Sequence, residues 1–196
     1  ILYDKLGLQP GKKTPKGEID KRVRRGSDLQ MVIVAPEEMR GEIESTLSNE
    51  AREAIVGWAQ AEAHANAKEL LDVAKPHIER ARAKQVASAL ERWSDESGRN
   101  GRAVAGWEDT LEAASDGRVE LLLVRQGANR EAYQCPECGR GSATGGACPL
   151  DGTRLERRSD GSDMAVHHVL AHGGAVIAVG REDLGEHDGI GALLRF

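Results

Sequence analysis

The chain has 196 residues, 39% of them hydrophobic and 30% charged. That length admits one large core or two small ones, and the composition excludes a chain disordered throughout. A net charge of −5 and a pI near 5.7 argue against tight nucleic-acid binding by the whole surface. No apolar run reaches the length of a membrane span, and no signal peptide is visible. With one Phe, two Tyr and three Trp, the cores must be built from Ala, Val, Leu and Ile. The three Cys are clustered and odd in number, which speaks against a disulfide framework and for a reducing, cytoplasmic setting. The chain opens on Ile1 rather than Met and is read as a fragment or a processed form.

In chain order, residues 1–17 carry Gly7, Pro10, Gly11, Pro15 and Gly17 and read as an irregular exposed loop, followed by a short basic helix over 18–25. Lys12, Lys13, Lys16, Lys21, Arg22, Arg24 and Arg25 crowd this stretch against only Glu18 and Asp20. The plain reading is a solvated loop and helix face. The functional reading is a local RNA-phosphate contact through Lys12, Lys13, Lys16, Arg22, Arg24 and Arg25. The apolar run 29–35 (LQMVIVA) predicts a strand buried on both faces. Pro36 suits a first helical turn, Glu37 and Glu38 suit its positive end, and a helix over 37–48 places Met39, Ile43 and Leu47 on one face. Residues 54–62 permit strand or helix. A helix is expected over 66–74, ended or kinked by Pro76, with a second over 76–96 carrying a stripe of Ile78, Ala81, Val86, Leu90 and Trp93. The segment 97–101 (SGRNG) reads as a boundary.

The last hundred residues alternate. A helix over 107–114 with Leu111 inward ends near Asp116-Gly117, and a strand follows over 118–124. A helix over 163–171 presents Met164, Val169 and Leu170, and strands are expected over 174–179 and 190–196. Interleaved helices and strands predict a layered α/β structure.

Between them lies Cys135-Pro-Glu-Cys138-Gly, followed after nine residues by Cys148-Pro-Leu-Asp151-Gly. Thiolates two residues apart can face one ion, and Gly lets each turn close around it, which is the form of a zinc ribbon. Asp151 stands where a complete ribbon has Cys. Three readings stay open: Asp151 supplies an oxygen ligand to zinc; a histidine such as His167 or His168 completes the site; or the turns persist without metal. A metal here would be structural, since a catalytic zinc needs an open position and a nearby base. His64, His77, His167, His168, His172 and His187 are otherwise scattered, Asp183, Glu186 and Asp188 read as a solvated acidic loop, and no phosphate-binding or dinucleotide fingerprint appears.

Several segments in order carry a family resemblance. Val104-Ala-Gly106-Trp107-Glu108-Asp109-Thr-Leu111-Glu-Ala113 resembles the helix opening the C-terminal domain of archaeal and eukaryotic peptide chain release factors and Pelota. Gly117-Arg-Val119-Glu120-Leu-Leu-Leu123-Val124 resembles the next strand, the paired-cysteine segment resembles the insertion of archaeal release factors, and Asp188-Gly189-Ile190-Gly191-Ala192-Leu193-Leu194-Arg195-Phe196 resembles the closing strand. Upstream, the elements over 29–62 match the end of the family's ribonuclease-H-like middle domain, which favours strand for 54–62. The resemblance implies a partial ribonuclease-H-like middle domain over 1–74 and a C-terminal α/β/α sandwich over 75–196, with a zinc-ribbon-like insertion over 131–158 held by Cys135, Cys138, Cys148 and Asp151. It implies a bacterial branch of the family, a ribosome partner and an elongation-factor-Tu-like GTPase.

In that family hydrolysis of peptidyl-tRNA uses a Gly-Gly-Gln loop. Here Gly145-Gly146 is followed by Ala147 and Gly173-Gly174 by Ala175, and the stretch 11–17, near which the family's loop would sit, lacks the motif. Unless the loop lies in sequence outside this chain, no hydrolase activity is expected and a role in ribosome rescue, stalling or hibernation follows. Two rivals remain. The C-terminal domain is related to kink-turn RNA-binding ribosomal proteins, which suggests a structured-RNA-binding module, although the acidic pI opposes it. A nuclease would need clustered carboxylates holding Mg²⁺, and 29–35 contains none.

Overall fold

The computed structural model describes residues 30–62, 64–99 and 101–196. The basic stretch 12–25 lies outside the described residues. Two compact units divide between Lys84 and Gln85.

In the first unit, β1 (Met31–Val34) and β2 (Ile55–Ala59) pair in parallel, with Val32 opposite Gly57 and Val34 opposite Ala59. Parallel neighbours need a crossover, supplied by a 3₁₀ turn (Glu37–Met39), α1 (Arg40–Thr46) and α2 (Asn49–Glu53). The ambiguous stretch is therefore a strand. The single helix expected over 37–48 is in fact split. Leu47 is extended (ψ 151°) and Ser48 caps a new helix, its hydroxyl accepting from Ala51 N at 3.2 Å. Leu47 points inward, whereas Met39 is 46% exposed, so the predicted common face does not form. β1 is half-buried along its length rather than buried on both faces, because its sheet has only two strands among the described residues.

Pro76 does not end a helix: α3 runs unbroken from Ala67 to Gly98. Proline removes one backbone donor, and the good helix formers on both sides keep the remaining ladder. Asn66 starts the helix with a capping box. Its Oδ1 accepts from Lys68 N and Glu69 N at 2.9 and 3.1 Å, and Glu69 accepts from Asn66 N at 2.8 Å.

The second unit is built on a four-stranded sheet in the order β3 (Ala103–Ala105), β9 (Ile190–Leu194), β4 (Val119–Arg125), β8 (Ala175–Val179). β9 is antiparallel to both neighbours and β8 is parallel to β4. Side chains alternate across the sheet. Leu122, Ile190, Ala192 and Leu194 face α4 (Trp107–Ser115) and α5 (Gly161–Ala171), meeting Trp107, Leu111, Met164 and Val169. Leu123, Leu193 and Val179 face the other way, meeting Ala89 and Trp93 from the second half of α3. The result is the expected α/β/α sandwich. Trp93 donates to Val104 O at 3.0 Å and Trp107 to Asp188 O at 3.3 Å, so both buried indoles are satisfied. Arg92 and Glu120 join α3 to β4 through two parallel hydrogen bonds of 2.8 and 2.9 Å.

Between β4 and α5 a small antiparallel sheet projects: β5 (Ala132–Gln134) sits between β6 (Gly141–Ser142) and β7 (Glu156–Arg158). These strands were not foreseen; they are two or three residues long, too short to show a period of two.

Candidate metal centre

Two turns of the same design face each other at the end of this small sheet. In the first, Cys135 N donates to Arg140 O at 2.9 Å and Cys135 O accepts from Gly139 N at 3.0 Å. In the second, Cys148 N donates to Thr153 O at 2.8 Å and Cys148 O accepts from Gly152 N at 2.9 Å. Gly139 and Gly152 close the two turns at φ values of 78° and 76°, where a Cβ would be strained. The turns are thus equivalent, and Asp151 occupies the place that Cys138 holds in its partner.

The ligand atoms of Cys135, Cys138, Cys148 and Asp151 all lie within 4.8 Å of one another. Cys138 Sγ and Cys148 Sγ are 3.6 Å apart, and Cys135 Sγ is 3.4 Å from Asp151 Oδ2. Zinc bonded to thiolate at about 2.3 Å sets sulfur atoms of a tetrahedron roughly 3.8 Å apart. The observed separations are close to the edges of that tetrahedron, so the donor set fits a divalent ion of zinc's size. The fourth potential donor atom of this group is Asp151, and neither His167 nor His168 belongs to it.

Electrostatics agree. Asp151 is held down to about 2, first by the backbone N–H of Thr153 (2.8 Å to Oδ1), then by the Thr153 hydroxyl and the neighbouring thiols. It is an anion at any physiological pH. Burial pushes the Cys148 thiol up, but the backbone N–H groups of Leu150 and Asp151 and the nearby thiols outweigh it, leaving Cys148 below its ordinary value. Without a cation, Cys138 is instead pushed up to about 11: the Arg140 backbone N–H pulls it down, but burial and the hydrogen bonds its thiol shares with Cys135 and Cys148 and donates to Asp151 push it further up. Several thiols sharing one site cannot all ionise unless positive charge is added.

Other residues single themselves out less. His168 is half-buried on α5, with Nε2 lacking a hydrogen bond, and burial followed by the charges of His167 and His172 pushes it down. Arg140, which the sequence did not flag, pairs with Asp116 and Glu112 and ties the insertion to α4. Both Gly-Gly pairs have local duties. Gly146 adopts φ 136° within the insertion, and Gly173 at φ 73° ends α5. Gly174 abuts Val169 and Val119 O so closely that a Cβ would fall within 2.6 and 2.8 Å.

No family model and no curated protein matches the chain. Among solved structures, ribosome-bound archaeal Pelota with ABCE1 aligns over 95% of this chain and 51% of its own, at 16% identity and a TM-score of 0.55. Dom34 of S. cerevisiae, described as a translation termination-like factor interacting with Hbs1, aligns over 95% and 54% at 10% identity and a TM-score of 0.52. The C-terminal domain of a peptide chain release factor from Methanosarcina mazei aligns over 68% of this chain and 98% of its own, at 21% identity and a TM-score of 0.48. The chain shares its fold with the two larger proteins, Pelota and Dom34. It is the Pelota and Dom34 fold, and the chain spans about half the length of those proteins.

Proposed function

We propose that the chain belongs to a ribosome-associated translation factor that does not hydrolyse peptidyl-tRNA and acts in ribosome rescue, stalling or hibernation. The observation that supports this best is the likeness, over 95% of the chain, to a Pelota that was described on the ribosome. It joins a second fact, that the printed sequence holds no Gly-Gly-Gln triplet. Among its described residues the sandwich gathers no cluster of carboxylates, which suits docking better than metal-assisted hydrolysis. By analogy with Dom34 and its partner Hbs1, we infer a translational GTPase partner, resembling elongation factor Tu in a bacterial, cytoplasmic setting. The insertion holds zinc through Cys135, Cys138, Cys148 and Asp151 as a closed structural site, because three thiolates and a carboxylate with no open position match that role.

Co-sedimentation tests this reading. The chain should pellet with ribosomes at low salt, more so with the GTPase in its GTP form. Failure to pellet under either condition, with tight binding to a kink-turn RNA instead, would replace it with the RNA-module reading.

A further inference from the structure

The three thiols of the metal centre are not equivalent. Cys138 is exposed, whereas Cys135 and Cys148 are buried. Cys138 Sγ lies 3.6 Å from Cys148 Sγ. Cys135 is only 1% exposed, and its sulfur lies against the Asp151 carboxylate at 3.4 Å. Cys138 and Cys148 are therefore in direct sulfur contact with Cys138 on the exposed side, while Cys135, though it also neighbours both sulfurs, is buried against the Asp151 carboxylate.

We propose that Cys138 and Cys148 are a peroxide-sensitive dithiol whose reversible oxidation to a disulfide ejects the metal and loosens the insertion. Cys138 Sγ attacks one peroxide oxygen, the O–O bond breaks, and a sulfenic acid forms with release of water. Cys148 Sγ then attacks the Cys138 sulfur, the S–O bond breaks, and a second water leaves. Two electrons pass from the sulfur pair to the peroxide. The two protons needed come from the thiols or, when these start as metal-bound thiolates, from solvent. The sulfurs must approach from 3.6 Å to about 2.05 Å. Both are lost as ligands, and Cys135 with Asp151 is too few to keep the ion.

The aspartate gives this switch its form. A knuckle with four cysteines can be oxidised to two disulfides. With Asp151 in the fourth place only one can form inside the site, so the reaction stops after two electrons and leaves Cys135 reduced. The knuckle lies at the end of a small sheet with few buried side chains, so ejecting the ion removes the main tie between its two turns.

Because this presupposes that the four side chains hold a metal, the test measures metal first. The full chain is loaded with zinc, its zinc content determined, and hydrogen peroxide titrated in. Release is followed with a chromogenic chelator, and the product by intact mass and peptide mapping. The expected result is a mass loss of about 2 Da, for the two hydrogens of the disulfide. Zinc should be released in step, with one cross-linked peptide pair holding Cys138 and Cys148, and dithiothreitol with zinc should restore the starting state. Cys138→Ser and Cys148→Ser should abolish the disulfide and Cys135→Ser should keep it. A disulfide containing Cys135 would overturn the proposal. So would sulfinic acid on Cys138 without a disulfide, or thiols and zinc left intact in excess peroxide. A chain that takes up no zinc at the outset refutes the metal reading alone, since the mass and mapping readouts on the metal-free chain still decide the pairing.

Discussion

The sandwich and its insertion are held together by opposite means. The sandwich closes two apolar clusters on the two faces of one sheet, with Leu111, Leu122, Leu123, Ile190 and Leu193 at 1% exposure or less. The insertion over 131–158 buries only Ala132, Cys135, Gly141, Ala143 and Cys148, and the ion pairs within it, Glu131 with Arg157 and Glu156 with Arg158, are largely exposed. Surface ion pairs contribute little, and a segment this small cannot live on burial alone. Where apolar area runs out, the proposed coordination would take over, and the two matched turns that could supply it lie in this insertion.

The largest effect that follows is on metal removal. Structural zinc contributes about 10 kcal/mol or more to small domains. A strong chelator should therefore abolish amide-exchange protection in β5, β6 and β7 while β4 and β9 keep theirs. Equal loss in both regions would show that the insertion is not a separate cooperative unit. Next comes the core. Trp93→Ala removes a buried indole and its bond to Val104 O. It should cost about 3–5 kcal/mol of sandwich stability, in chemical denaturation, with or without chelator. A chelator-dependent loss would blur the contrast.

A finer probe is the fourth ligand. Asp151→Ala should weaken metal binding on the order of 100-fold in competition with a zinc indicator, whereas Asp151→Cys should retain or tighten it. Acid adds a sign. The Asp151 carboxylate is held down to about 2. What it contributes to the fold is complete above the usual carboxylate value near 3.9 and fades only as pH falls towards 2. Metal loss on acidification should therefore follow thiol protonation, with a midpoint above about pH 4 in both wild type and Asp151→Asn. The smallest expected effect lies in the first unit, where Asn66→Ala removes the cap of α3 and should cost about 1 kcal/mol, read by thermal unfolding.

What was readable beforehand follows the same division. The sandwich strands carry unbroken apolar runs, and β4 and β9 lie within two residues of expectation because both faces of that sheet are covered. The paired turns were readable from spacing alone, since the repeat of Cys-Pro-x-x-Gly states the turn chemistry directly. That Asp151 rather than a histidine gathers with the three thiols was not, because only the fold brings distant side chains together or keeps them apart. Local punctuation misled in two places. Ser48 splits the first helix by capping, a signal hidden inside an apolar pattern, and Pro76 suggests an end or a kink although α3 continues through it with one bond fewer. The family resemblance, carried by scattered Gly, Trp and Arg positions, extends to the Pelota and Dom34 fold.

The proposed role is that of a docking body without hydrolytic chemistry. Its most direct test adds the chain to ribosomes carrying labelled peptidyl-tRNA and follows binding and peptide release in the same reaction. Binding with the peptidyl ester intact over the time in which a release factor empties the ribosome is the predicted result. Release of free peptide above the ribosome-only control would contradict it.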